Sequence, residues 1–270
     1  MTIINRHLGF IFLKSRKTAS SSIENHLILN TELGADIYST SREIIESGRP
    51  RSINYRPLWP GQKQFWYTPG DKEQRFRSNI RGGSKLLPSL SQHDSAARVR
   101  FLVGSRFFES AIKAVPIRNP WDALVSYYEW ERSGGQGRKA PMQHDWSDWF
   151  RVKMSPKAEL HGVCEADKFL FHDHTHLNNR FLPMIFIVFE DIDYSLRVLR
   201  KRLGLADSRV ENMELYLKNS KRSGDYRSYY NDEQAATVER IFNPYIQKLG
   251  YSFDQPGRLP DKWANESIAN

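Results

Sequence analysis

Residues 15–22, SRKTASSS, place two cations, Arg16 and Lys17, just ahead of four hydroxyls, Thr18, Ser20, Ser21 and Ser22. The stretch falls between an apolar run and what reads as the first turns of a helix. A helix N-terminus leaves backbone N–H groups unpartnered and carries about half a positive charge, so it attracts anions. Cations and hydroxyls added there make a phosphate cradle. The stretch is not a Walker A loop, which needs glycines; Ala19 is the small residue here. The plainer reading is a capped, solvated helix start.

A second cluster lies in residues 117–128, IRNPWDALVSYY. Arg118 falls at a strand end and Ser126 on the helix that follows. A guanidinium fork with a hydroxyl can hold another phosphate. Equally, Arg118 can pair with Asp122 and simply tie strand to helix. Among the eight histidines, His172, His174 and His176 alternate in FHDHTHL. On a strand they would share one face, and three imidazoles can bind zinc. No fixed carboxylate or thiolate partner is evident beside them, so an exposed strand or hairpin near the acceptor is the preferred reading and no residue is assigned to metal. The tryptophans and tyrosines of PLWPGQKQFWYTPG and HDWSDWF suit either stacking on sugar rings or ordinary packing. Cys164, the single cysteine, excludes an internal disulfide and reads as a small buried side chain.

Several elements must hold these groups. LGFIFL (8–13) is a short apolar run suited to a buried strand, and SSIENHLI opens a helix. DSAARVRFLVG reads as a helix capped by Asp94 and stopped by Gly104. SAIKAVPIR is a second strand, NPWDALVSYYEW a helix with Pro120 in its first turn, and MIFIVF a third strand. EDIDYSLRVLRKRLG follows as a helix with an acidic start and a basic finish. The last helix, NDEQAATVERIFNPYIQKLGYSF, is kinked or broken at Pro244. Residues 48–92 lack a sustained period and read as irregular, and the polar tail 254–270 as poorly ordered beyond a single domain over 1–253. Strands alternating with helices give an α/β class with a mostly parallel sheet, whose ligands bind beyond the carboxyl ends of the strands. Both cationic turns lie at such ends.

The net charge of +9 points to an anionic partner, and the basic residues are spread rather than gathered in one tail, which favours a lined cleft. Apolar stretches are too short to span a bilayer and no signal-peptide pattern opens the chain, so the expected location is the cytoplasm.

KTASSS after one strand and IRNPWDALVSYYEW after a later one resemble the two phosphosulfate-binding motifs of sulfotransferases that use 3′-phosphoadenosine 5′-phosphosulfate (PAPS). The likeness is greatest to the carbohydrate sulfotransferases, including the glycosaminoglycan 2-O-type enzymes and their soluble bacterial relatives, and extends to the YYNDEQAATVERIFNPYIQKLGYSF ending. The resemblance implies a P-loop-like three-layer fold, a central mostly parallel sheet flanked by helices. It implies that Lys17, Thr18, Ala19, Ser20, Ser21 and Ser22, with Arg16 nearby, cradle the 5′-phosphosulfate, and that Arg118 and Ser126 hold the 3′-phosphate. KRSGDYRSYY resembles the family's later basic loop and adds Lys221, Arg222 and Tyr226. Ala123 departs from the pattern, since many relatives have Arg there.

The implied reaction moves a sulfuryl group from PAPS to an acceptor hydroxyl, of a carbohydrate such as an acidic glycan in the first place and of another small molecule as the alternative, and releases 3′-phosphoadenosine 5′-phosphate (PAP). Charge-spread group transfer of this kind relies on positioning and electrostatics. Lys17 would neutralise the leaving phosphate, and no metal is required. His93, just before a helix and upstream of the second motif, matches the place of the family's catalytic His and is the expected general base. Two other classes fit parts of the pattern: a nucleotide-dependent kinase, disfavoured by the missing Walker glycines, and a basic nucleic-acid-binding protein, disfavoured by the lack of any known module.

Overall fold

A computed structural model describes residues 2–30, 37–38, 93–134, 144–205, 224–258 and 260. The stretch 48–92, with the aromatics of PLWPGQKQFWYTPG, lies outside these residues, as do Lys221 and Arg222.

The centre is a five-stranded sheet in the order β3-β1-β2-β4-β7. Its strands are β1 (Ile3–Asn5), β2 (Phe10–Phe12), β3 (Ile37–Tyr38), β4 (Ile112–Ile117) and β7 (Ile185–Val188). β2 pairs parallel with β4, and β4 with β7; β1 alone runs against its neighbours β2 and β3. The class is therefore mixed α/β with a mostly parallel sheet. β1 is an element the sequence reading did not assign. It turns into β2 through residues 6–9, where Asn5 Oδ1 accepts from the Leu8 N–H at 2.8 Å and Gly9 takes a positive φ of 59°.

Alternation along the strands feeds two separate cores. Ile3, Phe10, Phe12, Ala114, Ile185 and Ile187 face one side and meet Ile23 and Leu27 of α1 (Ser20–Asn30) and Leu196 and Leu199 of a later helix, Ile192–Arg202. Ile4, Ile11, Val115, Ile117, Phe186 and Val188 face the other. There they meet α2 (Ala96–Val103), α3 (Ser105–Ser110), α4 (Pro120–Arg132) and α5 (Trp146–Met154). Helices thus cover both faces, which makes three layers. After α5 the helical stretch 165–175 has a π turn, Lys168–His172, in its middle, and the hairpin β5 (His176–Leu177) and β6 (Arg180–Phe181) follows. The chain then passes through β7 to α6 (Ile192–Arg202), α7 (Asp232–Ile241) and α8 (Asn243–Leu249).

Local sequence accounts for most helix ends. Asn119 accepts from the Trp121 and Asp122 N–H groups at the start of α4, with Pro120 at the first helical position. Asn231 and Gln234 form a capping box on α7. At α2 the cap is Ser95, not Asp94: Ser95 Oγ accepts from the Arg98 N–H at 3.2 Å, while Asp94 pairs with Arg98 Nε at 3.0 Å. The final helix is broken rather than kinked, because Phe242 leaves helical geometry and Pro244 sits in the first turn of α8. The first residues past Asp254 are not loose. Arg258 N–H donates to Leu249 O at 3.0 Å, and Gly257 lies so close to the Tyr251 ring that a Cβ there would come within 2.3 Å of it. No helix among the described residues is long and apolar enough to cross a membrane.

Candidate active site

The loop from β2 to α1 sits at the carboxyl edge of the parallel strands. Leu13 N–H continues the ladder to Ala114 O at 2.8 Å, and Ser15 Oγ donates to Pro116 O, so the loop leaves directly beside the end of β4. Within it Lys17 and Ala19 take positive φ angles of 63° and 52°. Left-handed residues in alternation turn successive N–H groups to one side, the concavity that binds anions. Ser22 N–H and Ile23 N–H close back on Ala19 O at 2.9 and 3.2 Å, so α1 starts immediately after it. Ala19 therefore does the conformational work that glycine does in a Walker loop, at a cost of about 1 kcal/mol or more.

The hydroxyls divide. Thr18, Ser20 and Ser22 are buried. Thr18 Oγ1 lies 3.0 Å from Ser15 Oγ and Ser20 Oγ donates to Ser15 O at 2.8 Å, so both brace the loop. Ser21 Oγ accepts from Lys14 Nζ at 3.0 Å. The two cations are half-exposed against aromatic rings. The Arg16 guanidinium lies 4.5 Å from the Phe169 ring centre, and Lys17 Nζ lies 5.5 Å from that of Trp130. Phe169 is in turn stacked on Tyr127 of α4 at 3.9 Å.

Arg118 joins this loop from the end of β4. Its Nη1 reaches Lys17 O at 3.4 Å, its Nε donates to Asp122 Oδ2 at 2.7 Å, and its guanidinium lies 4.7 Å from the Phe189 ring centre. The strand-to-helix tie to Asp122 is thus present. Ser126 lies one turn beyond Asp122 on α4 and is buried. Tyr226 belongs to a 3₁₀ turn, Tyr226–Tyr229, and its hydroxyl donates to Phe253 O. The neighbouring Tyr230 hydroxyl donates to Trp121 O at 2.7 Å and fixes this turn on the start of α4.

His93 contacts the loop at Lys14. Its Nδ1 is 2.9 Å from Lys14 O, and a carbonyl can only accept, so Nδ1 carries the proton and Nε2 keeps the lone pair. Burial, helped by Lys14, Arg16 and His174, lowers its pKa to about 3 despite that hydrogen bond. The ring is neutral at pH 7.

The three alternating histidines are not on a strand and do not converge. His172 ends the π turn, His174 lies in the α turn that follows, and only His176 is extended. His172 and His176 stack at 4.3 Å, while His174 is fully buried, next to the His93 backbone with neither ring nitrogen hydrogen-bonded. Among the described residues no group of three His, Cys, Asp or Glu is arranged to hold a metal ion. HDWSDWF is packing: Trp146 and Trp149 stack in the core beside Tyr128. Cys164 is buried, and burial raises its thiol to about 11.

Sequence reasoning passed over three groups that shape the site. Lys14 and Glu24 form a buried ion pair at 2.7 Å, signalled only by a lysine at the end of an apolar run and a glutamate ten residues on. Ser15 links the loop to both Thr18 and Pro116. Glu190, at the end of β7, accepts the Asn119 N–H at 2.7 Å and the Tyr251 hydroxyl at 3.0 Å, tying the ends of β4 and β7 together.

No protein-family model matches the chain, and no characterised protein matches it in sequence. Among solved structures the chain is similar to mouse sulfotransferase SULT7A1 complexed with PAP, at 13% identity and a TM-score of 0.47, over 87% of this chain and 83% of that one.

Proposed function

We propose that the chain is a sulfotransferase that transfers the sulfuryl group of PAPS to a hydroxyl of a carbohydrate acceptor and releases PAP. The observation that carries this reading is the junction of two cationic turns. The left-handed loop around Lys17 and Ala19, at the N-terminus of α1, meets Arg118 from the next parallel strand through Lys17 O. A cradle of N–H groups with a second guanidinium beside it suits a donor that carries phosphate at both ends.

The residues present fit that donor. Lys17 stands at the loop where charge builds on the leaving phosphate, and its ammonium offsets that charge. Arg118 presents its fork at the strand end and Ser126 adds a hydroxyl one turn beyond Asp122. Tyr226 closes the same side. His93, neutral and with Nε2 unprotonated, takes the acceptor proton as the O–S bond forms. Its low pKa makes the free ring a weak base. A bound anion nearby favours the imidazolium and raises the pKa towards the working range. Lys221 and Arg222, outside the described residues, are proposed as further donor contacts on the strength of their motif alone.

The test is transfer itself: purified protein with sulfur-labelled PAPS and a panel of neutral and acidic oligosaccharides and simple phenols, reading label in the acceptor and PAP released. Label in a carbohydrate without added metal supports the reading. PAPS left intact across the panel, or labelled phenols with unlabelled sugars, respectively contradicts the activity or the acceptor class.

A further inference from the structure

Lys14 stands among the cations of a loop read as an anion cradle, yet its charge is spent elsewhere. Its side chain is 2% exposed, with Nζ 2.7 Å from Glu24 Oε2 and 3.0 Å from Ser21 Oγ; the Glu24 side chain is 0% exposed. Residue 14 lies two positions past the end of β2 and residue 24 lies in the second turn of α1. The ion pair therefore spans the whole loop, including both left-handed residues, Lys17 and Ala19. The backbone of the same residue holds His93, with Lys14 O 2.9 Å from Nδ1.

Stability alone is a poor account of such a pair. Desolvating two charges offsets most of their attraction, and apolar residues of similar volume commonly serve as well or better. What an ion pair with a second hydrogen bond, to Ser21, supplies is direction: it sets the distance between the strand end and the helix start, which packing of hydrocarbon side chains leaves adjustable.

We propose that the buried Lys14–Glu24 pair is a positioning device that holds the anion loop and, through the Lys14 carbonyl, the His93 imidazole in register for transfer, without either side chain touching donor or acceptor. The part concerning transfer rests on the sulfotransferase reading; the part concerning His93 does not. Among the described residues the groups that act on His93 are Lys14 and Arg16 from the loop and His174 from the stretch 165–175, while the adjacent carboxylate Asp94 is paired with Arg98. Burial and the cationic neighbours act in the same direction, so loosening the loop admits water and lets the imidazole titrate closer to its ordinary pKa of about 6.5.

The experiment compares wild type with Lys14→Met/Glu24→Leu, which removes both charges together and leaves neither stranded. Four quantities are read: the melting temperature, the affinity for PAP, kcat, and the titration of His93 by NMR on histidine-labelled protein without ligand, the resonance being assigned with His93→Gln. The proposal expects the double variant to fold, to bind PAP within about threefold of wild type, to lose about 10–100-fold in kcat, and to show the His93 midpoint raised by more than one pH unit. Wild-type kcat with an unmoved His93 titration would overturn it. Should the double variant not fold, Glu24→Gln keeps the side-chain size and an acceptor for Lys14; a raised His93 midpoint there supports the proposal, and an unmoved one overturns it. Absence of PAP binding by wild type would instead sink the sulfotransferase reading, while the ligand-free titration still decides whether the pair positions His93.

Discussion

Arg118 Nη1 donates to the carbonyl oxygen of Lys17 across 3.4 Å, joining turns that are 101 residues apart in the chain. The same guanidinium gives Nε to Asp122 at 2.7 Å. A planar fork can hold both partners and still present an edge to an anion; an ammonium is a point charge and cannot. Arg118→Lys should therefore keep the charge and weaken PAP binding by at least about tenfold, the loss of one charge-assisted hydrogen bond. Adenosine 5′-phosphosulfate, which lacks the 3′-phosphate, should lose much less. Calorimetric titration of both ligands checks this, and equal losses for the two would remove Arg118 from the 3′-phosphate site.

His93 carries its proton on Nδ1, where Lys14 O holds it, which leaves Nε2 for the proposed role of base. General-base catalysis typically contributes about two to four orders of magnitude. His93→Ala should cut kcat by about 10²–10⁴ while PAP affinity stays within a few-fold. Steady-state kinetics beside a direct binding measurement separates the two, and unchanged turnover would refute the role.

Ala19 is the strained residue that shapes the cradle, with φ at 52°. Glycine takes that conformation without penalty but loses more freedom on folding, so Ala19→Gly should change stability by less than about 1 kcal/mol and preserve PAP binding. A β-branched side chain is a genuine outlier there. Ala19→Val should lower the melting temperature by at least about 4 °C, from about 2 kcal/mol of added strain, and abolish stabilisation by PAP. Thermal melts of both variants with and without PAP decide it.

The chain has several histidines whose pKa values burial depresses in the folded state. His93 and His174 fall to about 3 and His176 to about 4, all below the ordinary value of 6.5. At pH 5 the unfolded chain holds protons on these rings and the folded one does not, so the stability they leave intact above pH 6.5 is lost as pH falls towards 3–4. Asp167 acts in the opposite sense: burial raises it to about 7, so the folded state is the one that holds its proton at pH 5. Burial also lowers His26 and His172 and raises Glu190, so the depressed histidines outnumber the raised acids and unfolding takes up protons near pH 5. Urea midpoints measured from pH 7 to pH 4 should fall steadily, and His174→Phe should make that fall shallower. A midpoint that rises on acidification would contradict the burial of these rings.

What the sequence made legible were features set by neighbours along the chain. FIF and IFIV are apolar throughout because both sheet faces are covered, and the Pro120 and Asn119 start of α4 follows from helix-end chemistry alone. The cationic loop and Arg118 were legible for the same reason, as turns directly after such strands. Less visible were features that depend on distant partners. The three-residue strand β1 is too short to announce itself and exists because Ile3 pairs with both Phe12 and Tyr38. The alternating histidines suggested a strand, but within five residues the chain passes from a π turn through an α turn to the start of a hairpin, so the three rings share no strand face. The Lys14–Glu24 pair reads as surface charge until the fold places α1 against β2.

The most direct test of the donor assignment is the thermal stability of the protein with PAP, ADP and ATP, each with and without Mg²⁺. A ligand that binds only the folded state at a hundred times its Kd stabilises it by about 2.7 kcal/mol, or several degrees in a chain of this size. The account predicts that shift for PAP, unchanged by Mg²⁺, and little for ADP or ATP. Equal or greater shifts with ATP, or shifts that appear only with Mg²⁺, would contradict it and favour phosphoryl transfer on the same loop.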